Sequence, residues 1–61
     1  MIDNPAQLFD KLVERLGKKW RCTSPKEHFI TIEFFNDDGS VFVSGEGMKL
    51  EDAIADVERN L

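Results

Sequence analysis

The sequence predicts a small α+β domain in which two helices flank a three-stranded antiparallel sheet, in the order α-β-β-β-α. Three observations predict it: a helix-periodic apolar stripe near each end, alternating apolar residues between them, and a dense turn signal inside the alternating part. The chain has 61 residues, and a chain this short buries only about 60% of the surface it exposes when unfolded. We therefore expect residues 1–61 to form a single domain, with both helices packed on one face of the sheet.

The first helix is predicted to begin after Asn4 and to end at Leu16. Asn4 is a good N-cap, Pro5 fits the first turn, and Gln7 stands where a capping box requires it. Gly17 follows at the position that favours a left-handed C-cap. One helical stripe carries the apolar side chains of Leu8, Phe9, Leu12, Val13 and Leu16.

The middle of the chain predicts three strands. Residues 19–23 alternate, which indicates a half-buried strand with Trp20 and Cys22 facing inward, and residues 24–27 are expected to break it. Residues 28–35 and 40–44 form a predicted hairpin around the turn at 36–39. A four-residue loop gives the register Phe35 with Ser40, Phe34 with Val41 and Ile32 with Val43.

In that register one sheet face is aliphatic, and the other is too aromatic for a purely solvated surface. We expect the aromatic face to lie away from both helices and its rings to cluster into a contact surface for a protein partner or a second copy of the chain. The candidate partner-binding residues on this face are Phe29, Glu33, Phe35 and Phe42.

The second helix is predicted to follow Gly45-Glu46-Gly47, which is expected to end the last strand. Its apolar stripe is expected to lie on the aliphatic sheet face and consists of Leu50, Ala53, Ile54, Val57 and Leu61.

Composition restricts the classes of function. Eight basic and twelve acidic residues give a net charge of -4, which on average repels phosphate backbones. A single cysteine, Cys22, and the lack of a charged-then-apolar leader favour a reducing cytoplasm, and no apolar run approaches the roughly 20 residues of a membrane span.

The reactive side chains favour a protein that is not an enzyme and holds neither metal nor cofactor. Asp52 and Asp56 share a helix face without His or Cys nearby in sequence, and the 36–39 segment lacks the distal Glu of a calcium loop. Cys22 and His28 are too few for structural zinc. We expect Cys22 to be a small buried hydrophobe and His28 to be a strand-edge residue.

The element order, the opening Asn4-Pro5 and the closing Gly45-Glu46-Gly47 with Ala53 resemble the double-stranded RNA-binding domain over nearly the whole chain. The resemblance implies this fold and RNA binding through a Lys-Lys-x-Ala-Lys cluster opening the last helix. Here the positions of the lysines are Leu50, Glu51 and Ile54. The last half of the chain is also similar to small HicB-type antitoxins.

The sequence therefore favours a small acidic protein-interaction module that is regulatory, inhibitory or an adaptor. A second hypothesis is a nucleic-acid binder that uses the basic residues of the first loop and strand, Lys18, Lys19, Arg21 and Lys26. A third is a nucleic-acid mimic or antitoxin-like regulator whose acidic last helix occupies a basic groove.

We predict weak or absent binding to duplex RNA, because Glu51 and Asp52 place negative charge where the resembled family has lysines. Titration of a labelled RNA duplex at low and moderate salt measures this. Micromolar binding that weakens steeply with salt would contradict the prediction.

Overall fold

The computed structural model describes residues 4–61. Along the chain it contains α1 (Pro5–Leu16), β1 (Lys19–Lys26), β2 (Phe29–Phe35), β3 (Val41–Gly47) and α2 (Leu50–Arg59). The strands form one antiparallel sheet in the order β1-β2-β3. The predicted α-β-β-β-α order and the α+β class are confirmed.

Both ends of α1 are as predicted. The Asn4 side chain accepts a hydrogen bond from the Gln7 N–H at 2.9 Å, and Gln7 Oε1 accepts one from the Asn4 N–H at 3.1 Å, which completes a capping box. Gly17 adopts a left-handed conformation at φ 61°, and its N–H donates to the Val13 carbonyl at 2.9 Å. The helix limits thus follow from local hydrogen bonding at each end.

The core lies between the sheet and the two helices, on the side that we call the inner face. Apolar side chains from α1, β2, β3 and α2 fill it, and β1 contributes none that is buried. The buried residues are Leu12, Ile32, Phe34, Val43, Ala53, Ile54 and Val57.

Strand β1 is longer than predicted, because residues 24–26 continue it and only Glu27 and His28 form the turn. A register shift between Thr23 and Lys26 accommodates Pro25, which an edge strand tolerates because one side of its backbone has no ladder to maintain. The expected break at 24–27 is therefore wrong. β2 begins at Phe29, one residue later than expected, since His28 has a φ of 58° that suits a turn.

Trp20 and Cys22 occupy the expected face, because they pair with Phe34 and Ile32 of the buried set, but neither is buried. Trp20 is 46% exposed. Its ring meets the Phe9 ring of α1 edge to face, with the two ring centres 4.7 Å apart. The prediction of a buried Cys22 is wrong. β1 is an edge strand, and α2 packs on β2 and β3, so the helical layer ends before it covers β1.

The predicted hairpin register is also wrong. The Asn36 N–H donates to the Ser40 carbonyl at 2.8 Å, so three residues form the loop, with Gly39 at φ 91°. Phe35 then pairs with Val41, and a bulge shifts the next pair to Phe34 with Val43.

The total slip between the expected and observed registers is two residues, and an even slip keeps side chains on their faces. Ile32 pairs with Gly45 where we expected Val43, yet Val43 still points into the core. Only Val41 and Phe42 differ from their expected positions: Val41 pairs with Phe35, and Phe42 is the extra residue of the bulge.

β3 continues through Gly45 and Gly47, whereas we expected the strand to end before Gly45. The two glycines allow α2 to approach closely: a Cβ on Gly45 would lie 2.5 Å from the Val57 nitrogen, and one on Gly47 would lie 2.6 Å from the Asp52 Cβ. α2 ends at Arg59, so Leu61 lies beyond the helix and is exposed, contrary to its predicted place on the stripe.

We predict that Gly45→Ala destabilises the domain by about 3 kcal/mol, because the methyl group would force the α2 backbone away from the sheet. Urea unfolding followed by Trp20 fluorescence measures the change. Ser44→Ala is the matched control on the neighbouring exposed residue, with an expected change within about 0.5 kcal/mol. Equal midpoints for the two variants would refute the close-packing argument.

Candidate protein-binding surfaces

Within residues 4–61 no helix covers the side of the sheet away from the core, which we call the outer face. Its members are the residues that alternate with the core positions on β2 and those that pair with them on β1 and β3. They are Lys19, Arg21, Thr23, Lys26, Phe29, Thr31, Glu33, Phe35, Val41, Ser44 and Glu46.

The centre of the outer face is an ion pair beside an apolar pair. Arg21 donates to Glu33 Oε1 from Nη2 at 2.8 Å and from Nε at 3.3 Å, and its guanidinium lies 5.5 Å from the centre of the Phe35 ring. On the neighbouring strand β3, Val41 pairs with Phe35 and is 51% exposed. The face therefore combines a locally neutralised charge pair with adjoining apolar surface.

The predicted cluster of three phenylalanines does not form. Phe29 and Phe35 lie on the outer face, but six residues of strand separate them by about 20 Å. Phe42 is the extra residue of the β3 bulge, and its ring has the Lys18 ammonium 4.5 Å from its centre. Val41 takes the place beside Phe35 that we expected Phe42 to have.

The four basic candidates do not form one compact patch. Lys19 and Lys26 stand at opposite ends of β1, seven residues and so roughly 20 Å apart. Arg21 is engaged with Glu33, and Lys18 lies over the Phe42 ring. What these cations share is their position on or next to a single strand.

Cys22 and His28 are both exposed and are not brought together. Cys22 pairs with Ile32, which lies four strand residues from His28 and therefore about 13 Å away. A nucleophile and its base must be within hydrogen-bond reach, so this pair is not arranged for catalysis. His28 is a turn residue and not the expected strand-edge residue.

The oxygen atoms of the 36–39 turn serve the turn itself. Asp38 Oδ1 accepts from the Ser40 hydroxyl at 2.6 Å and from the Ser40 N–H at 2.9 Å, and these bonds lower the pKa of Asp38. Within residues 4–61, no group of three or more His, Cys, Asp or Glu side chains is placed to hold a metal ion.

The edge of β3 that faces away from β2 is closed by two side chains, one from α2 and one from its C-cap residue. Asp56 Oδ2 accepts from the Glu46 N–H at 3.0 Å, and the Asn60 side-chain amide donates to the Ser44 carbonyl at 2.8 Å. Asp56 also accepts from Arg59. The Glu46 N–H, followed by Arg59, lowers the pKa of Asp56 below its usual value of 3.8.

The sequence did not lead us to expect Val41 on the outer face beside Phe35. It also did not indicate that Asp56 and Asn60 bond to the edge of β3. A signal for Val41 existed, because Gly39 as the third loop residue is typical of a hairpin with a three-residue loop, which shifts the register. For Asp56 the sequence indicated only an acidic helix face. Its bond to Glu46 depends on how closely α2 approaches β3, which no local pattern encodes.

Comparison of the chain with protein-family models, with curated proteins and with solved structures finds no match. None of the helices in the described part of the chain has the length and apolar character needed to cross a bilayer.

We predict that Asp56 contributes to acid sensitivity. Its folded-state pKa is depressed, so its stabilising effect is present above about pH 4 and is lost as the pH falls through the lower folded value. Asp56→Asn keeps an acceptor for the Glu46 N–H but removes the titrating group, so its thermal midpoint should fall less than that of the wild type between pH 4 and more acidic conditions. Glu14→Gln on the exposed side of α1 is the matched control. An identical dependence of the thermal midpoint on pH for Asp56→Asn and wild type would disprove the prediction.

Proposed function

We propose that this chain is a non-catalytic protein-interaction module and that its contact surface is the outer face. The observation that carries the proposal is the exposed Val41 paired with a half-buried Phe35 on a sheet face with no covering layer in residues 4–61. Apolar surface of this kind on a small domain is typical of an association site.

The electrostatics of the outer face support binding to protein and not to phosphate. Arg21 is neutralised by Glu33. Glu46 on β3 offsets one of the two remaining cations, Lys19 and Lys26, so a polyanion meets little net positive charge there. A partner that covers Phe35 and Val41 buries apolar surface worth about 25 cal/mol per Å2 against the entropy of association.

The placement of reactive groups supports a role without catalysis. Cys22 and His28 are exposed and about 13 Å apart. Asp56, whose carboxylate accepts from the Glu46 N–H and from Arg59, serves to close the β3 edge. A regulatory, inhibitory or adaptor protein is consistent with these features, and a homodimer formed face to face is the simplest version of the same proposal.

We predict that Val41→Asp weakens association through the outer face at least about tenfold, because a charge would be buried in the contact without a partner. The matched control is Met48→Asp, which places the same charge at a residue that is 68% exposed and lies outside the strands. Circular dichroism should show both variants folded.

Two measurements test the prediction. Sedimentation velocity over a wide concentration range tests self-association, and quantitative pull-down compares the proteins retained by wild type and both variants. The expected result is retention by wild type and by Met48→Asp with loss in Val41→Asp. Equal retention by all three excludes the outer face, and a wild type that stays monomeric throughout excludes the homodimer.

A further inference from the structure

The two edges of the sheet are treated differently by the rest of the fold. On β3 the Ser44 carbonyl accepts from the Asn60 side chain, and the Glu46 N–H donates to Asp56. On β1 no described strand lies beyond the side opposite β2, and all eight of its residues are exposed. β1 therefore presents unpaired main-chain donors and acceptors, which is the feature that lets a sheet accept another strand.

The charge of this edge is opposite to that of the chain. β1 carries three cations and no acidic residue, and with Arg21 paired to Glu33 of β2 it is Lys19 and Lys26 that give the strand its positive charge, whereas the whole chain has a net charge of -4. A ligand lying along β1 thus meets positive side chains at both ends of the strand. Charge complementarity selects a negatively charged occupant.

Two exposed side chains of low polarity lie beside the same edge on the inner face. Trp20 is 46% exposed with its ring against Phe9, and Cys22, two residues along the strand on the same face, is also exposed. Alternate side chains of an added strand point to this face, so apolar side chains at every second position would rest against Trp20 and Cys22.

A second copy of the chain fits this edge poorly. Antiparallel pairing of two β1 strands places the cations of both copies along one ladder, and like charges across a ladder are destabilising. Pro25 and the register shift before Lys26 restrict regular pairing of any added strand to residues 19–23.

We propose that β1 binds an extended acidic segment of a protein partner, which adds a fourth strand to the sheet with its apolar side chains against Trp20. This inference rests on the proposed role in protein binding but uses a different surface. Glutamates on the ligand pair with Lys19 and, beyond the regular ladder, with Lys26, and the β1 backbone of residues 19–23 supplies the hydrogen bonds.

Trp20 is the single tryptophan of the chain and reports on this edge. The probe is an acetylated, amidated heptapeptide of alternating glutamate and valine, and two controls are the same peptide with alternate amides N-methylated and the same peptide with lysine in place of glutamate. We expect saturable changes in Trp20 fluorescence and in the β1 amide chemical shifts with the acidic peptide. Binding should be at least about tenfold weaker with either control peptide.

Variants of the chain separate the edge from the outer face. Lys19→Glu combined with Lys26→Glu should weaken acidic-peptide binding at least about tenfold, whereas Lys49→Glu, an exposed charge reversal next to α2, should not. Val41→Asp should leave peptide binding unchanged even if it abolishes association through the outer face, so the two proposals can fail separately.

Three results would overturn the inference. They are no response to the acidic peptide at millimolar concentration, equal binding of the N-methylated peptide, and equal loss of binding in Lys49→Glu. Rapid formation of a Cys22–Cys22 disulfide under mild oxidation, in a dimer that excludes the peptide, would instead assign the edge to a second copy.

Discussion

The close approach of α2 to β3 at Gly45 and Gly47 is the constraint on which the rest of the structure depends. A side chain at either glycine would overlap α2 backbone or Cβ atoms within 3 Å. Because the approach is this close, Ala53 and Val57 are completely buried against the sheet. The same approach brings Asp56 within hydrogen-bonding distance of the β3 backbone, so one packing contact both builds the core and closes one sheet edge.

The opposite edge follows from the same contact. A helical layer centred on β2 and β3 cannot also cover β1, which meets α1 where Phe9 contacts Trp20. β1 is therefore left with an exposed backbone edge and a half-exposed Trp20. Pro25 and the terminal lysines of β1 are features that edge strands use against indiscriminate pairing. Such an edge favours a ligand of complementary charge over a copy of itself.

Local signals in the sequence were sufficient for the helices and for the order of the elements. The capping box at Asn4 and the left-handed Gly17 fixed α1 to the residue, because each end depends on hydrogen bonds within one turn. The sheet register was not predictable in the same way. The three-residue loop and the bulge at Phe42 each shift the pairing by one residue, so together they leave the faces of the rest of β3 unchanged and the sequence alternation does not reveal them. Whether Cys22 is covered depends on where a distant helix packs.

The separation of core and surface explains why the candidate sites can be altered without loss of the fold. The buried set lies on the inner face, with Ile32, Phe34 and Val57 among its fully buried members, whereas β1 contributes no buried side chain. The Arg21–Glu33 pair joins β1 to β2 across the outer face, but the Arg21 side chain is 62% exposed, and exposed ion pairs contribute only about 0–1 kcal/mol. Stability therefore depends mainly on α1, α2, β2 and β3, and the side chains of β1 and the outer face remain available for recognition.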